Sequence, residues 1–243
     1  MSDQRASTRR FDPIAMEVFS NRLLSITEDM NNTLVRSSFS TNIKERRDCS
    51  VALFDARGRL IAQGTQIPLH LGSLNGGVAA LLAQVAPERI GEGDVYICND
   101  PYLANGTHLP DITIVTPVFC DGRLEFFAAS IGHHADVGGA VPGSIAGGSR
   151  SVFEEGIRIP VTHICRGGDL DREVLEHIAA NTRDPEERKL DLQVQIATND
   201  CGAREARALW RQMGAAAVHG AIDDVIEYTL RRMRNRIAAL KPG

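Results

Sequence analysis

The sequence predicts an α+β fold, in which a mixed or antiparallel sheet built from hairpins follows a long N-terminal helix and precedes C-terminal helices. Apolar residues recur at helical spacing in residues 13–34, strand-like runs with turn signals occupy residues 50–134, and helical segments follow residue 171. The 243 residues are 43% hydrophobic, enough to bury a sizeable core. We therefore predict a polar tail over residues 1–11, an α+β region over 12–165 and a helical region over 166–243.

The first helix is predicted to begin at Asp12, an acidic N-cap followed by Pro13 at the first helical position. Residues 50–54 and 59–63 are predicted to pair as a hairpin, because the intervening turn contains Gly58. One face of the first helix is apolar and comprises Met16, Phe19, Leu23, Ile26, Met30 and Leu34.

Further strands and helices are predicted after this hairpin. The strands span residues 94–98, 112–119 and 124–131, and the last two form a second hairpin through a turn at Gly122. The helices span residues 74–85, 172–182, 185–213 and 218–240. Residues 138–151 are rich in Gly and Ser without a period, so we expect a loop between the sheet and the last helices.

Composition excludes several classes of protein. The formal net charge of −4 is not the basic excess typical of nucleic-acid-binding proteins, so we expect no nucleic-acid partner. No apolar run approaches the roughly 20 residues that cross a bilayer. The polar N-terminus lacks the apolar segment of a signal peptide. The five cysteines are odd in number and form no C-x-x-C pair, which is typical of reduced thiols in a cytoplasmic protein.

Histidine and aspartate concentrate between residues 100 and 136. Imidazole together with carboxylate is the ligand set of a borderline divalent metal such as zinc, manganese or iron. The alternative is that these are turn residues that cap backbone groups. The residues concerned are His108, His133, His134, Asp100, Asp111 and Asp136.

The predicted second hairpin brings part of this group together. Pro110 disfavours helix at the preceding residue, so His108 and Asp111 should lie on a turn that leads into a strand. His133 and His134 end the partner strand and point to opposite faces, so both cannot reach one site. His133 shares the face of bulky apolar residues and is the better metal ligand, which leaves His134 and Asp136 as candidates for proton transfer.

Other motifs carry weaker signals. The glycine-rich loop lacks the phosphate-binding pattern G-x-x-x-x-G-K-[ST], so its glycines more plausibly allow close backbone approach. His70 stands among apolar residues and is interpreted as a core histidine. Residues 45–48 are charged and, on composition alone, are typical of a solvated surface.

Four sequence blocks together resemble the hydantoinase B family. They are E-R-R-D-C-S from residue 45, Q-I-P-L-H-L-G-S from residue 66, residues 99–111, and G-H-H-A-D-V-G-G from residue 132. That family contains the B subunits of ATP-dependent N-methylhydantoinases and 5-oxoprolinases and the related subunits of ketone carboxylases such as acetone carboxylase. The resemblance implies one divalent metal held by Asp48, His108, Asp111 and His133.

The resemblance also implies a division of labour between two proteins. An A-type subunit would use ATP to activate a carbonyl oxygen, and the B-type metal site would complete the reaction within a hetero-oligomer. We expect the metal-dependent part of a cyclic amide hydrolase, with a ketone carboxylase component as the alternative. Because the family's chains continue well beyond the length of this one, the sequence looks truncated, and a third alternative is an inactive assembly subunit.

Overall fold

The computed structural model describes residues 12–240, so the predicted polar tail over residues 1–11 lies outside the described part of the chain. Six α-helices are present in this part. They are α1 (Pro13–Ser37), α2 (Thr41–Lys44), α3 (His70–Gln84), α4 (Arg172–Ala180), α5 (Pro185–Met213) and α6 (Ala215–Ala238). The predicted start of α1 is confirmed, because the Asp12 carboxylate accepts hydrogen bonds from the backbone N–H groups of Ile14 and Ala15.

One seven-stranded sheet forms the centre of the molecule. Its strands are β1 (Cys49–Asp55), β2 (Leu60–Gln63), β3 (Val95–Cys98), β4 (Asp111–Cys120), β5 (Arg123–His133), β6 (Thr162–Arg166) and β7 (Asp169–Leu170). Their spatial order is β2-β1-β5-β4-β3-β6-β7, and every neighbouring pair is antiparallel. The α+β class and both hairpins predicted from the sequence are confirmed.

Helices cover both faces of the sheet. On one face, Phe127 of β5 packs with Leu74 and Val78 of α3. On the other face, Phe126 of β5 packs with Leu23 of α1 and neighbouring side chains of α5 and α6. Because successive side chains of a strand point to opposite faces, burial on both sides makes the central strands almost continuously apolar.

The structure differs from the sequence prediction at two places, β6–β7 and the start of α3. The β6–β7 hairpin was not predicted, and the expected boundary at residue 165 falls inside β6. Helix α3 begins at His70, four residues before the predicted start. The prediction missed this first turn because Gly72, Gly76 and Gly77 interrupt the helical period of apolar residues. Within the region predicted to be helical, α5 packs directly against β4 and β5.

Candidate metal centre

The end of the β4–β5 hairpin brings three predicted ligands together. Asp111 is the first residue of β4 and lies directly opposite His133, the last residue of β5. His108 occupies the turn just before β4. Its Nε2 lies 3.1 Å from His133 Nδ1 and 3.1 Å from Asp111 Oδ1, and the latter two atoms are also 3.1 Å apart.

Asp48 approaches from the turn that precedes β1. Its backbone carbonyl accepts a hydrogen bond of 2.9 Å from the His133 N–H, which extends the pairing of β1 with β5 by one residue. Its carboxylate Oδ2 lies 3.7 Å from His133 Nδ1. Arg47, just before it, has a φ of 55°, a left-handed conformation that turns the chain sharply into the strand. All four residues implied as ligands therefore lie close together at one end of the interior strands β1, β5 and β4.

The spacing of these atoms fits a divalent ion. Metal–ligand bonds of about 2.1 Å place neighbouring ligand atoms about 3.0–3.5 Å apart. One ligand atom from each of His108, Asp111 and His133 lies within 4.8 Å of the other two. Two imidazoles with carboxylates suit zinc, manganese or iron better than calcium or magnesium.

Burial differs sharply across the centre. The side chains of Asp111 and His133 are 3% and 8% exposed, whereas those of His108 and Asp48 are 31% and 33% exposed. The centre therefore has a closed side within the sheet and an open side toward solvent.

Electrostatics favour a charged Asp111. Burial acts to raise the pKa of its carboxyl group, but hydrogen bonds with His108, His133 and Thr107 outweigh burial and hold that pKa well below its usual range. Burial acts to lower the pKa of His108, but the hydrogen bond and charge of Asp111 outweigh it and raise that pKa. The carboxylate is thus ready to bind a cation without first losing a proton.

Polar anchors hold the loop that carries His108. The Asn99 amide nitrogen donates to the carbonyls of Leu109 and Ile157, and its oxygen accepts from the Ile159 N–H at 2.6 Å. The Glu155 carboxylate accepts a hydrogen bond from the Leu109 N–H. These bonds hold both backbone groups of Leu109, the residue after His108, so the position of His108 depends on residues 155–159 as well as on β4.

His134 does not join the cluster. Arg188 of α5 donates to its Nδ1 at 2.7 Å, and because a guanidinium has no acceptor, Nε2–H must donate to Gln195 Oε1 at 2.8 Å. The ring is fully buried. This burial is the main reason that the pKa of His134 lies well below the ordinary value, and the nearby positive charge of Arg188 lowers that pKa further. The opposite orientation of His133 and His134 agrees with strand alternation, but the structure leaves His134 no free nitrogen for proton transfer.

Asp136 also faces away from the centre. Its carboxylate accepts hydrogen bonds from the backbone N–H groups of Gly138, Gly143 and Arg183 and from the Arg183 guanidinium. Burial acts to raise its pKa, but these bonds outweigh burial and lower it. The contacts make Asp136 an anchor of the glycine-rich loop, and the structure gives it no contact with the predicted ligands.

His70 is the residue that the sequence interpretation missed. It is buried, as expected of a core histidine, but its Nε2 lies 3.5 Å from Asp48 Oδ1 and 3.9 Å from Asp111 Oδ2. Only its place inside the Q-I-P-L-H-L-G-S block could have drawn attention to it. The spacing between His70 and either aspartate along the chain carries no signal.

Taken as a class, this is an antiparallel-sheet protein with helices on both faces and a two-histidine, carboxylate cluster at a hairpin end. The chain belongs to the hydantoinase B/oxoprolinase family, which it matches over residues 12–243. The resemblance seen in its four sequence blocks is thereby confirmed. Among residues 12–240, no helix is long and apolar enough to cross a membrane.

Two curated relatives illustrate the family. The chain is 41% identical to a 5-oxoprolinase from Dictyostelium discoideum over 87% of its own length and 17% of the relative's. It is 32% identical to caprolactamase subunit beta from Pseudomonas jessenii over 96% of its own length and 40% of the relative's. It therefore spans less than half of either relative.

Solved structures support the same fold. An ATP-dependent caprolactamase from Pseudomonas jessenii superposes with a TM-score of 0.89 at 31% identity, covering 96% of this chain and 40% of that one. A nucleotide-free acetone carboxylase superposes with a TM-score of 0.88 at 22% identity, covering 96% of this chain and 31% of that one. The second likeness concerns the fold alone.

Proposed function

We propose that this chain is the metal-dependent part of an ATP-dependent cyclic amide hydrolase. The single observation that carries the proposal is the cluster of His108, Asp111 and His133, whose ligand atoms lie within 4.8 Å of one another, with Asp48 beside them. The relatives that are more than 30% identical include a 5-oxoprolinase and a caprolactamase subunit, which act on cyclic amides.

A divalent ion in this centre would supply positive charge that polarises a carbonyl or phosphoryl oxygen and activates water. The chain's own contribution is to hold the ligands, to keep Asp111 ionised and to leave the His108 side open to substrate. An unactivated amide is a hard target for this chemistry. We therefore assign the activation by ATP to an A-type partner subunit, which agrees with the absence of a phosphate-binding loop motif in the sequence.

The proton-transfer role that the sequence suggested for His134 and Asp136 is not part of this proposal. Both ring nitrogens of His134 are engaged by α5, and the Asp136 carboxylate is engaged by backbone and by Arg183. We propose instead that the two residues support the centre from behind, by fixing α5 and the glycine-rich loop against the end of β5.

The test begins with metal analysis of the purified chain and continues with reconstitution. The chain should carry one divalent ion, and with an A-type partner and ATP it should support ring opening of 5-oxoproline or caprolactam. ATP consumption that depends on bicarbonate instead would assign the complex to the carboxylase alternative. A chain that folds, binds the partner and carries no metal would support the assembly-subunit alternative and refute the proposal.

A further inference from the structure

His70 lies against the carboxylates of the centre from the side opposite the other two histidines. It is the first residue of α3, and its side chain is only 2% exposed. Its Nδ1 lies 3.1 Å from the hydroxyl of Ser50 on β1, and Ser50 is itself buried. The ring therefore connects a strand residue to the two aspartates.

The two oxygens of each carboxylate face different partners. Asp111 Oδ1 faces His108 and His133, whereas Asp111 Oδ2 lies 3.9 Å from His70 Nε2. In the same way, Asp48 Oδ2 faces His133, whereas Asp48 Oδ1 lies 3.5 Å from His70 Nε2. His70 therefore contacts the oxygens that point away from the place where the metal ligands converge.

This geometry determines which ring nitrogen carries the proton. A lone pair on Nε2 would face two anionic oxygens and be repelled, whereas an Nε2–H group is attracted to both. Nδ1 must then accept a hydrogen bond, and the Ser50 hydroxyl is the donor in reach. The Ser50 hydroxyl thus donates to His70, and the His70 Nε2–H faces the Asp48 and Asp111 carboxylates at 3.5 and 3.9 Å, which is an electrostatic contact and not a direct hydrogen bond.

We propose that His70, held by Ser50, is a positioning residue that orients Asp48 and Asp111 toward the metal. The inference rests on the proposed function, because it concerns the same centre. The orientation of Asp48 should depend on His70 more than that of Asp111 does. Asp111 is 3% exposed and its Oδ2 also accepts a hydrogen bond from Thr107, whereas Asp48 is 33% exposed and lies in a turn.

Cobalt binding to the full chain provides a readout that does not require activity. We expect His70→Phe to weaken Co²⁺ affinity about 10–100-fold, the range found when a group that orients a metal ligand is removed. His70→Gln keeps an N–H donor near the position of Nε2 and should recover most of that affinity. Affinities are measured by competition with a chelator, and circular dichroism checks that each variant is folded.

A matched control exists on β6. His163 Nε2 lies 3.4 Å from Asp94 Oδ2, which is an imidazole–aspartate contact of similar length outside the centre. His163→Phe should leave cobalt affinity unchanged. If His70→Phe does not fold, Ser50→Ala decides the question, because it removes one oxygen and should weaken affinity in the same direction by a smaller factor.

A double variant tests whether His70 affects metal affinity through its contact with Asp48. In the Asp48→Asn background, adding His70→Phe should change cobalt affinity less than about 3-fold, because coupled residues are not additive. The cobalt absorption spectrum of His70→Phe should keep the wild-type band positions. Full additivity, or band shifts showing that His70 is itself a ligand, would overturn the positioning role.

The outcomes separate this inference from the proposed function. A wild-type chain that binds no cobalt would refute the metal centre and the role of His70 with it. A wild-type chain that binds cobalt, with unchanged affinity in His70→Phe or Ser50→Ala, would refute the positioning role and leave the metal centre intact.

Discussion

The predicted ligands differ from nearby polar residues in how their atoms converge. His108 Nε2, His133 Nδ1 and Asp111 Oδ1 form a triangle with sides of 3.1 Å, although His108 and His133 are 25 residues apart in sequence. A side chain that caps a backbone group needs only one hydrogen-bond partner. Three possible metal-ligand atoms that face one another need a cation or protons between them to relieve their repulsion. Replacing these residues therefore tests the metal hypothesis directly.

Replacing His108 and Asp111 together with Ala should abolish stoichiometric metal, because two of the four proposed ligands are removed and His133 alone with Asp48 cannot hold an ion tightly. Elemental analysis of the purified protein measures the effect. His163→Ala, a histidine outside the cluster, serves as the control and should retain the wild-type metal content. Retention of one ion per chain in the double variant would refute the ligand assignment.

The cysteines give a second prediction at this scale. Burial raises the pKa of the Cys49 and Cys98 thiols to about 12 and that of Cys120 and Cys165 to about 11. Since the thiolate is the reactive form, these four should resist alkylation. Only the partly exposed Cys201 should react rapidly with iodoacetamide in the native protein, as peptide mass mapping would reveal. Fast labelling of Cys49 would contradict this prediction.

Helix α5 is the element that ties the centre to the rest of the fold. Gln195 and Asn199 donate hydrogen bonds to the carbonyls of Ile112 and Ile114 on β4, and Arg188 reaches His134 at the end of β5. Asp191 accepts hydrogen bonds from the N–H groups of Phe39 and Ser40, which follow α1. A single helix thus crosses the ends of two strands and the turn after α1 through buried polar side chains.

His134→Ala tests this link. Loss of the imidazole leaves one nitrogen of the buried Arg188 and the side-chain oxygen of Gln195 without the hydrogen bonds they make to His134. We therefore expect the free energy of unfolding to fall by about 1–3 kcal/mol, measured by urea denaturation. Metal content should stay near normal, because the His134 side chain leaves the strand on the face opposite His133. Loss of metal as complete as in His133→Ala would reverse the roles assigned to the two histidines.

Two glycines of α3 allow a test of how closely this helix packs against the loop that carries His108. A Cβ at Gly76 would lie 1.9 Å from the carbonyl oxygen of Ala104, in the loop that leads to His108, whereas a Cβ at Gly72 would meet nothing within 4 Å. Gly76→Ala must therefore displace that loop or the helix. We expect it to lower stability by about 1–3 kcal/mol and to weaken metal binding.

Gly72→Ala is the matched control, with the same chemical change in the same helix. Its stability should be unchanged or slightly raised, because alanine is the better helix former. Thermal unfolding and cobalt affinity of both variants measure the difference. Equal behaviour of the two variants would show that close packing of α3 against the loop does not position His108.

At the scale of the whole molecule, the chain spans 40% of caprolactamase subunit beta and 17% of the 5-oxoprolinase. Its centre opens to solvent on the side of His108 and Asp48, and residues 227–240, the final turns of α6 and the two residues after it, are exposed. The described residues thus form a folded core with one open centre, and the ATP chemistry of the relatives has no counterpart among the motifs found in this sequence.

We expect the purified chain by itself to hydrolyse neither ATP nor a cyclic amide. Addition of an A-type partner should produce both activities. Phosphate release and ring opening are measured with each component omitted in turn. ATP-dependent ring opening by the 243-residue chain alone would refute the proposed division of labour.

Local sequence determined the elements whose signals lie within a few residues. The cap at Asp12, the apolar period of α1 and the turn at Gly122 specify their structures without distant contacts, and strand alternation correctly separated His133 from His134. The convergence of His108, Asp111 and His133 followed from one hairpin, since its register pairs residues close in sequence. Asp48 was added only by resemblance to the family.

Tertiary structure decided the residues whose partners are far away along the chain. His134 is enclosed by Arg188 and Gln195, 54 and 61 residues later, and His70 meets Asp111, 41 residues later, through the packing of α3 on the sheet. No period or motif encodes such contacts, because they depend on how whole elements pack. For that reason the sequence by itself brought His108, Asp111 and His133 together through one hairpin, whereas only the fold revealed the residues that surround and orient them.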